Sequence, residues 1–392
     1  MHSPDASPDA PPESLLQTVL DGVQIEPRGY QRRIVSKAIQ MFRGECINSR
    51  GKLDPAANSI MIESPTGSGK TVMGLMVAKY LQQTEGLSVA WVAMRRNLLK
   101  QTADENQARG FNVDLKLVSM FDRSPPEVDV LIVDEAQHDA ATSMANIHCQ
   151  LKPKKILGLT ATPFRTDRIK LCFDQIIKDA GIHRLIQDGY LSTFRHFTIP
   201  EYTPDAVAAC FAREPDRWGR TLVFFHKAVD CFRCCDLLTD CGIRAEVVTS
   251  TTDRDRQTAD FEQGRLDVLI NMNILTEGFD CPSLQTVFCR PSGKGCTIQM
   301  AGRVLRKCPH TDIKQVVQCG RTKHPFLKTA LPTEQFVWLN DDWRSLKLNQ
   351  RLVEISNQTR ILVSKTNVEL PALVAKHRRS KMPWESPSSD GL

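Results

Sequence analysis

The sequence has no apolar run approaching the roughly 18 residues that would cross a bilayer, so no membrane partner is expected. Its opening residues (Met1-His2-Ser3-Pro4-Asp5) lack the positive charge and apolar stretch of a secretory leader. A cytoplasmic location is the expectation. Aromatic residues are scarce at 6%, yet 41% of the chain is hydrophobic and 24% charged, which excludes collagenous and disordered classes. A paired disulfide framework is also missing: the 13 cysteines are odd in number and irregularly spaced. Cys231, Cys234 and Cys235 fall at helical spacing beside Leu238, which reads as the buried stripe of one helix. Zinc sites normally draw ligands from two knuckles, so no structural zinc is expected. The net charge is only +6. From Gly320 to Leu392 there are twelve Lys and Arg against seven Asp and Glu, so the basic excess gathers at that end.

What is present is an alternation. Short β-branched runs at Ser59 to Glu63, Val89 to Met94, Asp129 to Val133 and Lys155 to Leu159 are separated by helix-length stretches. The pattern restarts with Thr221 to Phe225, Arg244 to Val248, Asp267 to Ile270 and Thr286 to Phe288. Parallel strands with crossover helices, in two tandem α/β domains, follow from it. The expected division is a disordered tail at 1–14, a first domain at 15–194, a second at 195–319, an extension at 320–382 and a disordered tail at 383–392.

Ser64-Pro65-Thr66-Gly67-Ser68-Gly69-Lys70-Thr71 follows a predicted strand and opens a helical stretch, the context a phosphate-binding loop requires. Thr66, Gly67, Ser68 and Gly69 let backbone amides approach phosphates, Lys70 neutralises their oxygens, and Thr71 offers a hydroxyl to Mg²⁺. Ser64 stands where the generic pattern has Gly. Asp134 and Glu135 leave the end of another strand, where α/β proteins place ligands. Asp134 suits Mg²⁺, and Glu135 suits orienting or deprotonating a water. Downstream, Gln299, Arg303 and Arg306 share one face if their segment is helical, so an amide and two guanidiniums point together. These are the candidate catalytic residues with Lys70, and ATP and Mg²⁺ are the cofactors they fit.

Asp134-Glu135-Ala136-Gln137-His138 resembles motif II of the superfamily 2 helicases, and the remaining motifs follow in that family's order. Arg28-Gly29-Tyr30-Gln31 resembles its adenine-recognition motif, with Arg28 and Gln31 at the base. Trp91 to Arg96 resembles motif Ia, Thr160-Ala161-Thr162-Pro163 motif III, and Phe224 to Lys227 motif IV. Thr276-Glu277-Gly278-Phe279-Asp280 resembles motif V, with Gly278 and Asp280 toward the nucleotide, and Gln299 to Arg306 resembles motif VI. The resemblance implies two RecA-like parallel-sheet lobes with an ATP cleft between them and a short C-terminal extension. It implies nucleic-acid contacts at Arg95, Arg96, His226 and Thr276, and coupling through Gln137, His138, Thr160 and Thr162. Gln137 stands where the family more often has His, and could bridge the lobes.

The wording of Gly158 to Arg165 and of Leu185-Ile186-Gln187-Asp188-Gly189-Tyr190-Leu191 resembles bacterial and phage helicases related to restriction-enzyme motor subunits and repair translocases. Those relatives imply an ATP-dependent helicase or translocase with DNA preferred over RNA as partner. An RNA helicase and an ATP-binding switch without motor activity are the alternatives. After Arg306 no nuclease cluster or Cys-rich module follows. Phe336, Trp338 and Trp343 read as a helical extension packed on the second lobe, with protein partners as its further use; beside Arg344, Lys347, Arg351 and the basic run Lys376 to Lys381, a nucleic-acid surface is the alternative.

Overall fold

A computed structural model describes residues 13–48, 50–138, 142–162, 173–272, 279, 281–309, 311, 313–346 and 358–359. Thr276, Gly278 and Asp280, and the expected tail at 383–392, lie outside them.

The first lobe is built on six strands, β1 (Ser59–Glu63), β2 (Val89–Ala93), β3 (Leu115–Ser119), β4 (Val130–Asp134), β5 (Lys155–Thr160) and β6 (Gln175–Lys178). Their order is β3-β2-β4-β5-β1-β6 and every pairing is parallel. Helices α1 (Glu13–Leu20), α2 (Gly29–Arg43), α3 (Lys70–Glu85), α4 (Arg96–Ala108), α5 (Thr142–Leu151) and α6 (Ile182–Gln187) complete it. All five residues of β2 are buried, the pattern of a strand covered on both faces. Gly74 lets α3 lie close on the sheet, since a Cβ there would come within 2.7 Å of the Trp91 ring. The helix α1 begins at Glu13, anchored by buried Leu16 and Val19, so the expected tail is two residues too long.

The second lobe carries β7 (Phe194–Ile199), β8 (Thr221–Phe224), β9 (Ala245–Val248), β10 (Val268–Asn271), β11 (Thr286–Phe288), β12 (Lys314–Cys319), β13 (Glu334–Leu339) and β14 (Asp342–Ser345). Its order is β14-β13-β7-β12-β11-β8-β10-β9, parallel except for the β13/β14 pair. Its helices are α7 (Pro204–Arg213), α8 (Pro215–Trp218), α9 (Ala228–Asp240), α10 (Arg254–Glu262) and α11 (Lys294–Gly302). Phe194 pairs with Lys314 in this sheet, so the strand that opens the second lobe starts one residue before the expected boundary.

The helical reading of the segment around Trp338 is corrected. Residues 334–345 form an antiparallel hairpin that joins β7 in parallel and widens the second sheet. The cause is aromatic packing. Phe336 stacks on Phe197 at 4.8 Å, while Trp343 meets Phe197 at 5.0 Å and Trp218 at 5.8 Å. Cys231 and Cys234 are buried on α9, where burial pushes both thiols up to about 12 and keeps them protonated.

Candidate nucleotide site

The phosphate loop starts where β1 ends. The Ser64 N–H donates to the Thr160 carbonyl at 2.9 Å, keeping the loop in line with β5. Gly67 and Gly69 then adopt φ of 81° and 79°, left-handed values that a side chain would strain. Gly69 also has no room, because a Cβ would come within 2.5 Å of the Gln31 amide nitrogen. The departure at Ser64 acquires a use. Its hydroxyl donates to that of Ser68 at 2.7 Å, and both are buried, so the loop is cross-braced from within.

The segment that resembles the adenine-recognition motif grips the same loop. The Tyr30 hydroxyl and the Gln31 amide both donate to the Ser68 carbonyl, at 2.6 and 2.8 Å. Gln31 Oε1 accepts the Arg28 N–H at 2.9 Å, the reciprocal contact of a capping box at the start of α2. Both ends of the Gln31 amide are therefore engaged with protein, not held out for a bidentate contact with a base. Burial pushes the Tyr30 hydroxyl up, which keeps it a donor.

The acidic pair leaves the end of β4. Glu135 has φ of 52° and its N–H donates to Asp134 Oδ1 at 3.0 Å. Such a positive φ is uncommon for a residue that bears a side chain. The Glu135 carboxylate is held from two sides. Lys70 Nζ lies 4.0 Å from Oε1, and Gln137 Nε2 donates to Oε2 at 3.0 Å. Behind it, Thr160 Oγ1 donates to Gln137 Oε1 at 2.6 Å and accepts the Thr162 N–H at 3.0 Å. The four residues thus form one relay. The idea that Gln137 bridges the lobes is corrected: these bonds run within the first lobe, because Thr160 ends the neighbouring strand. The His138 side chain lies outside the described residues.

In the second lobe, α11 ends at Gly302, so the single-helix-face argument for Gln299, Arg303 and Arg306 does not hold. Past Gly302 the chain tightens, with Arg303 N–H donating to Met300 and Val304 N–H to Ala301, each at 3.3 Å. This turn brings Arg303 and Arg306 together: both guanidiniums donate to the Phe279 carbonyl, at 2.9 and 3.3 Å. Gln299 is half-buried on α11 and stays out of the cavity wall.

The lobes meet at this turn. A Cβ on Gly67 would lie 3.4 Å from Arg306 Cγ, and one on Gly302 would lie 3.2 Å from Thr66 Cβ. Between them opens a cavity of about 890 Å³. Arg28, Gln31, Thr66, Gly67, Gly69, Lys70, Thr71, Asp134 and Glu135 line it from the first lobe, and Phe279, Arg303 and Arg306 from the second. Ser68 points away, into its buried bonds. Three residues expected on nucleic acid stand apart from this wall: Arg95 precedes α4, Arg96 begins it exposed, and His226 is exposed with its Nδ1 3.0 Å from the Arg290 guanidinium. Sequence reasoning missed Asp104 and Glu105 of α4, which line the cavity beside Gln101 and which only the packing of α4 beside α3 brings there. Tyr30 was missed too, although it lies inside the quoted Arg28 to Gln31 motif.

Comparison with known proteins agrees with this arrangement. The family model described as "Type III restriction enzyme, res subunit" matches residues 24–119 and 116–165, and "Helicase conserved C-terminal domain" matches 203–308. "Putative ATP-dependent helicase IRC3" of Saccharomyces cerevisiae is 24% identical over 74% of this chain and 52% of its own length. A "51.5 kDa protein" of a Lactococcus phage is 24% identical over 59% of each chain. The chain spans between half and three-fifths of these relatives. Among solved structures, the "ATP-dependent Type ISP restriction-modification enzyme LlaBIII bound to DNA" aligns with a TM-score of 0.55 and 14% identity, over 79% of this chain and 28% of that one. "S. cerevisiae Dbp5 bound to RNA and ADP BeF3" aligns with a TM-score of 0.54 and 16% identity, over 86% of this chain and 99% of that one. At such identities the likeness is one of fold.

Proposed function

The chain belongs to the superfamily 2 helicases related to restriction-enzyme motor subunits, and from that premise we propose that it is a nucleic-acid-stimulated ATPase that moves on or unwinds DNA. The observation that carries the proposal is one cavity walled by the phosphate loop and acidic pair of one lobe and by two arginines of the other. Lys70 and the loop amides take the phosphates, with Arg28 at the base end. Gln31 acts indirectly, by tying base recognition to the loop. Thr71 and Asp134 offer the oxygen-only donors that suit Mg²⁺ and would hold the ion. When bound, that ion neutralises charge on the phosphate oxygens.

Glu135 orients the attacking water and accepts its proton, and the bonds from Gln137 and Lys70 fix where its oxygens point. Arg303 and Arg306 spread positive charge over the transferred phosphoryl oxygens while the lobes are together. Hydrolysis and release relax that contact, and the change in lobe spacing moves a bound strand. Arg95, Arg96, His226 and Thr276 are the proposed track. Family affinity to restriction-enzyme motor subunits and the DNA-bound neighbour favour DNA. The fold shared with an RNA-bound protein keeps RNA as the second reading.

The test is ATP turnover measured with no nucleic acid, single-stranded DNA, duplex DNA and RNA. DNA should stimulate most. Stimulation by RNA alone selects the second reading, and equal turnover under all four conditions removes the motor.

A further inference from the structure

Between α6 and β7 runs a short joint, Gly189-Tyr190-Leu191-Ser192. Its start is fastened to the first lobe, for the N–H groups of Tyr190 and Leu191 both donate to the Leu185 carbonyl, at 2.8 and 3.0 Å. The three residues from Tyr190 each touch a different part of the nucleotide site. The Tyr190 ring meets Tyr30 edge to face at 5.2 Å, and the Arg28 guanidinium lies over Tyr190 at 5.3 Å. Leu191 is buried against the phosphate loop, where a Cβ on Gly67 would come within 3.2 Å of it. Ser192 closes on the arginine turn. Its N–H donates to the Leu305 carbonyl at 2.8 Å and its hydroxyl to that of Arg306 at 3.2 Å.

We infer that Tyr190 to Ser192 form a coupling strap, in which Tyr190 positions Arg28 at the base end of the cavity and Ser192 positions the turn carrying Arg303 and Arg306. Neither residue lines the cavity, so each acts through the group it holds. A guanidinium seated on a ring gives up freedom it would otherwise have, which fixes where Arg28 meets its ligand. The contacts sit on consecutive residues, about 3.8 Å apart along the chain. Their backbone is tied to Leu185 at one end and Leu305 at the other, so a shift of that backbone moves them together. Base occupancy and arginine placement are thereby joined through three residues of one chain segment. The inference rests on the ATPase reading above and adds residues that reading does not use.

Steady-state ATP hydrolysis at saturating nucleic acid tests it. Tyr190→Leu should raise KM for ATP about five-fold with kcat within about two-fold, on the scale of one lost ring contact with a cation. Tyr190→Phe keeps the ring and should restore the KM. Because Tyr190 works through Arg28, the double variant with Arg28→Gln should show no higher KM than Arg28→Gln alone. Ser192→Ala should lower kcat about three-fold per nucleotide-binding molecule, the scale of one lost hydrogen bond. A purely structural role lowers the active fraction and leaves KM unchanged. That result, or additive KM effects, overturns the Tyr190 assignment, and an unchanged kcat overturns that of Ser192. A wild-type chain that hydrolyses no ATP under any nucleic acid defeats the function reading itself. An active wild type with indistinguishable variants defeats only the strap.

Discussion

In the first lobe Lys70 and Thr71 open α3 while Asp134 and Glu135 leave the end of β4, and the groups around them are bonded to one another. Ser64 braces Ser68, Gln31 and Tyr30 hold the Ser68 carbonyl, and Gln137 ties Glu135 to Thr160. In the second lobe Arg303 and Arg306 reach the cavity as long side chains from one turn, and both donate to the Phe279 carbonyl. An ionised phosphoryl oxygen is a stronger acceptor than a carbonyl. The contrast teaches a division of labour: one lobe is a cradle of side chains bonded to one another, and the other brings two guanidiniums to the cavity from a single turn.

That contrast can be broken most severely at Glu135. Glu135→Gln should bind ATP as before while turnover falls about a thousand-fold, on the scale of a lost general base. Fluorescent-nucleotide binding beside phosphate release checks it, and wild-type release would take Glu135 out of its role. Next comes the charge of the second lobe. Arg303→Lys keeps the charge and loses the planar fork, so kcat should fall about a hundred-fold with KM changed less than about three-fold. If only KM moved, the arginine would be a binding group and the contrast would blur.

The smallest effect concerns acid. His196 on β7 is buried, its Nε2 donates to Gln318 at 3.1 Å, and burial pushes its pKa down to about 4. An unfolded imidazole protonates near pH 6.5 and the folded one only near 4, so second-lobe stability is full above about pH 6.5 and falls as pH drops toward 4. Asp129 in the first lobe is held well below the carboxylate range by Lys154 and Ser88. Its contribution is present above about pH 4 and is lost only below it. Acid loosening should therefore begin in the second lobe. Wild type should lose about 2 kcal/mol there between pH 7 and pH 5, and His196→Gln should lose almost none of its own stability over that interval. Hydrogen exchange resolved to each lobe reads this, and first-lobe amides opening earlier would reverse the order.

Most of the cradle was legible because its chemistry is local. A strand, Gly-x-Gly-Lys-Thr and a helix are contiguous, and β1 has the bounds its β-branched run suggested. The edge strand β3 was passed over because two of its five residues are exposed and its apolar signal is diluted. The arginine pair was legible by type and illegible by geometry. Gly302 is itself a local hint of a helix end, but that both arginines then meet at Phe279 beside Thr66 and Ser192 depends on residues distant in the chain. The β13/β14 hairpin did leave a signal: Asn340 and Asp341 take φ of 52° and 57°. These are the two left-handed positions of a tight hairpin turn, which Asn and Asp tolerate. Tryptophans spaced around that pair drew attention away from it.

Gly302 has one more consequence. Where it faces Thr66, the missing side chain leaves 3.2 Å from a notional Cβ to the opposite lobe. The clearance between the two lobes is therefore a few tenths of an ångström short of a methyl group. One added carbon at position 302 would have to push Thr66, and the phosphate loop with it, by a few tenths of an ångström: the fit of the two lobes here is set by the absence of a single atom.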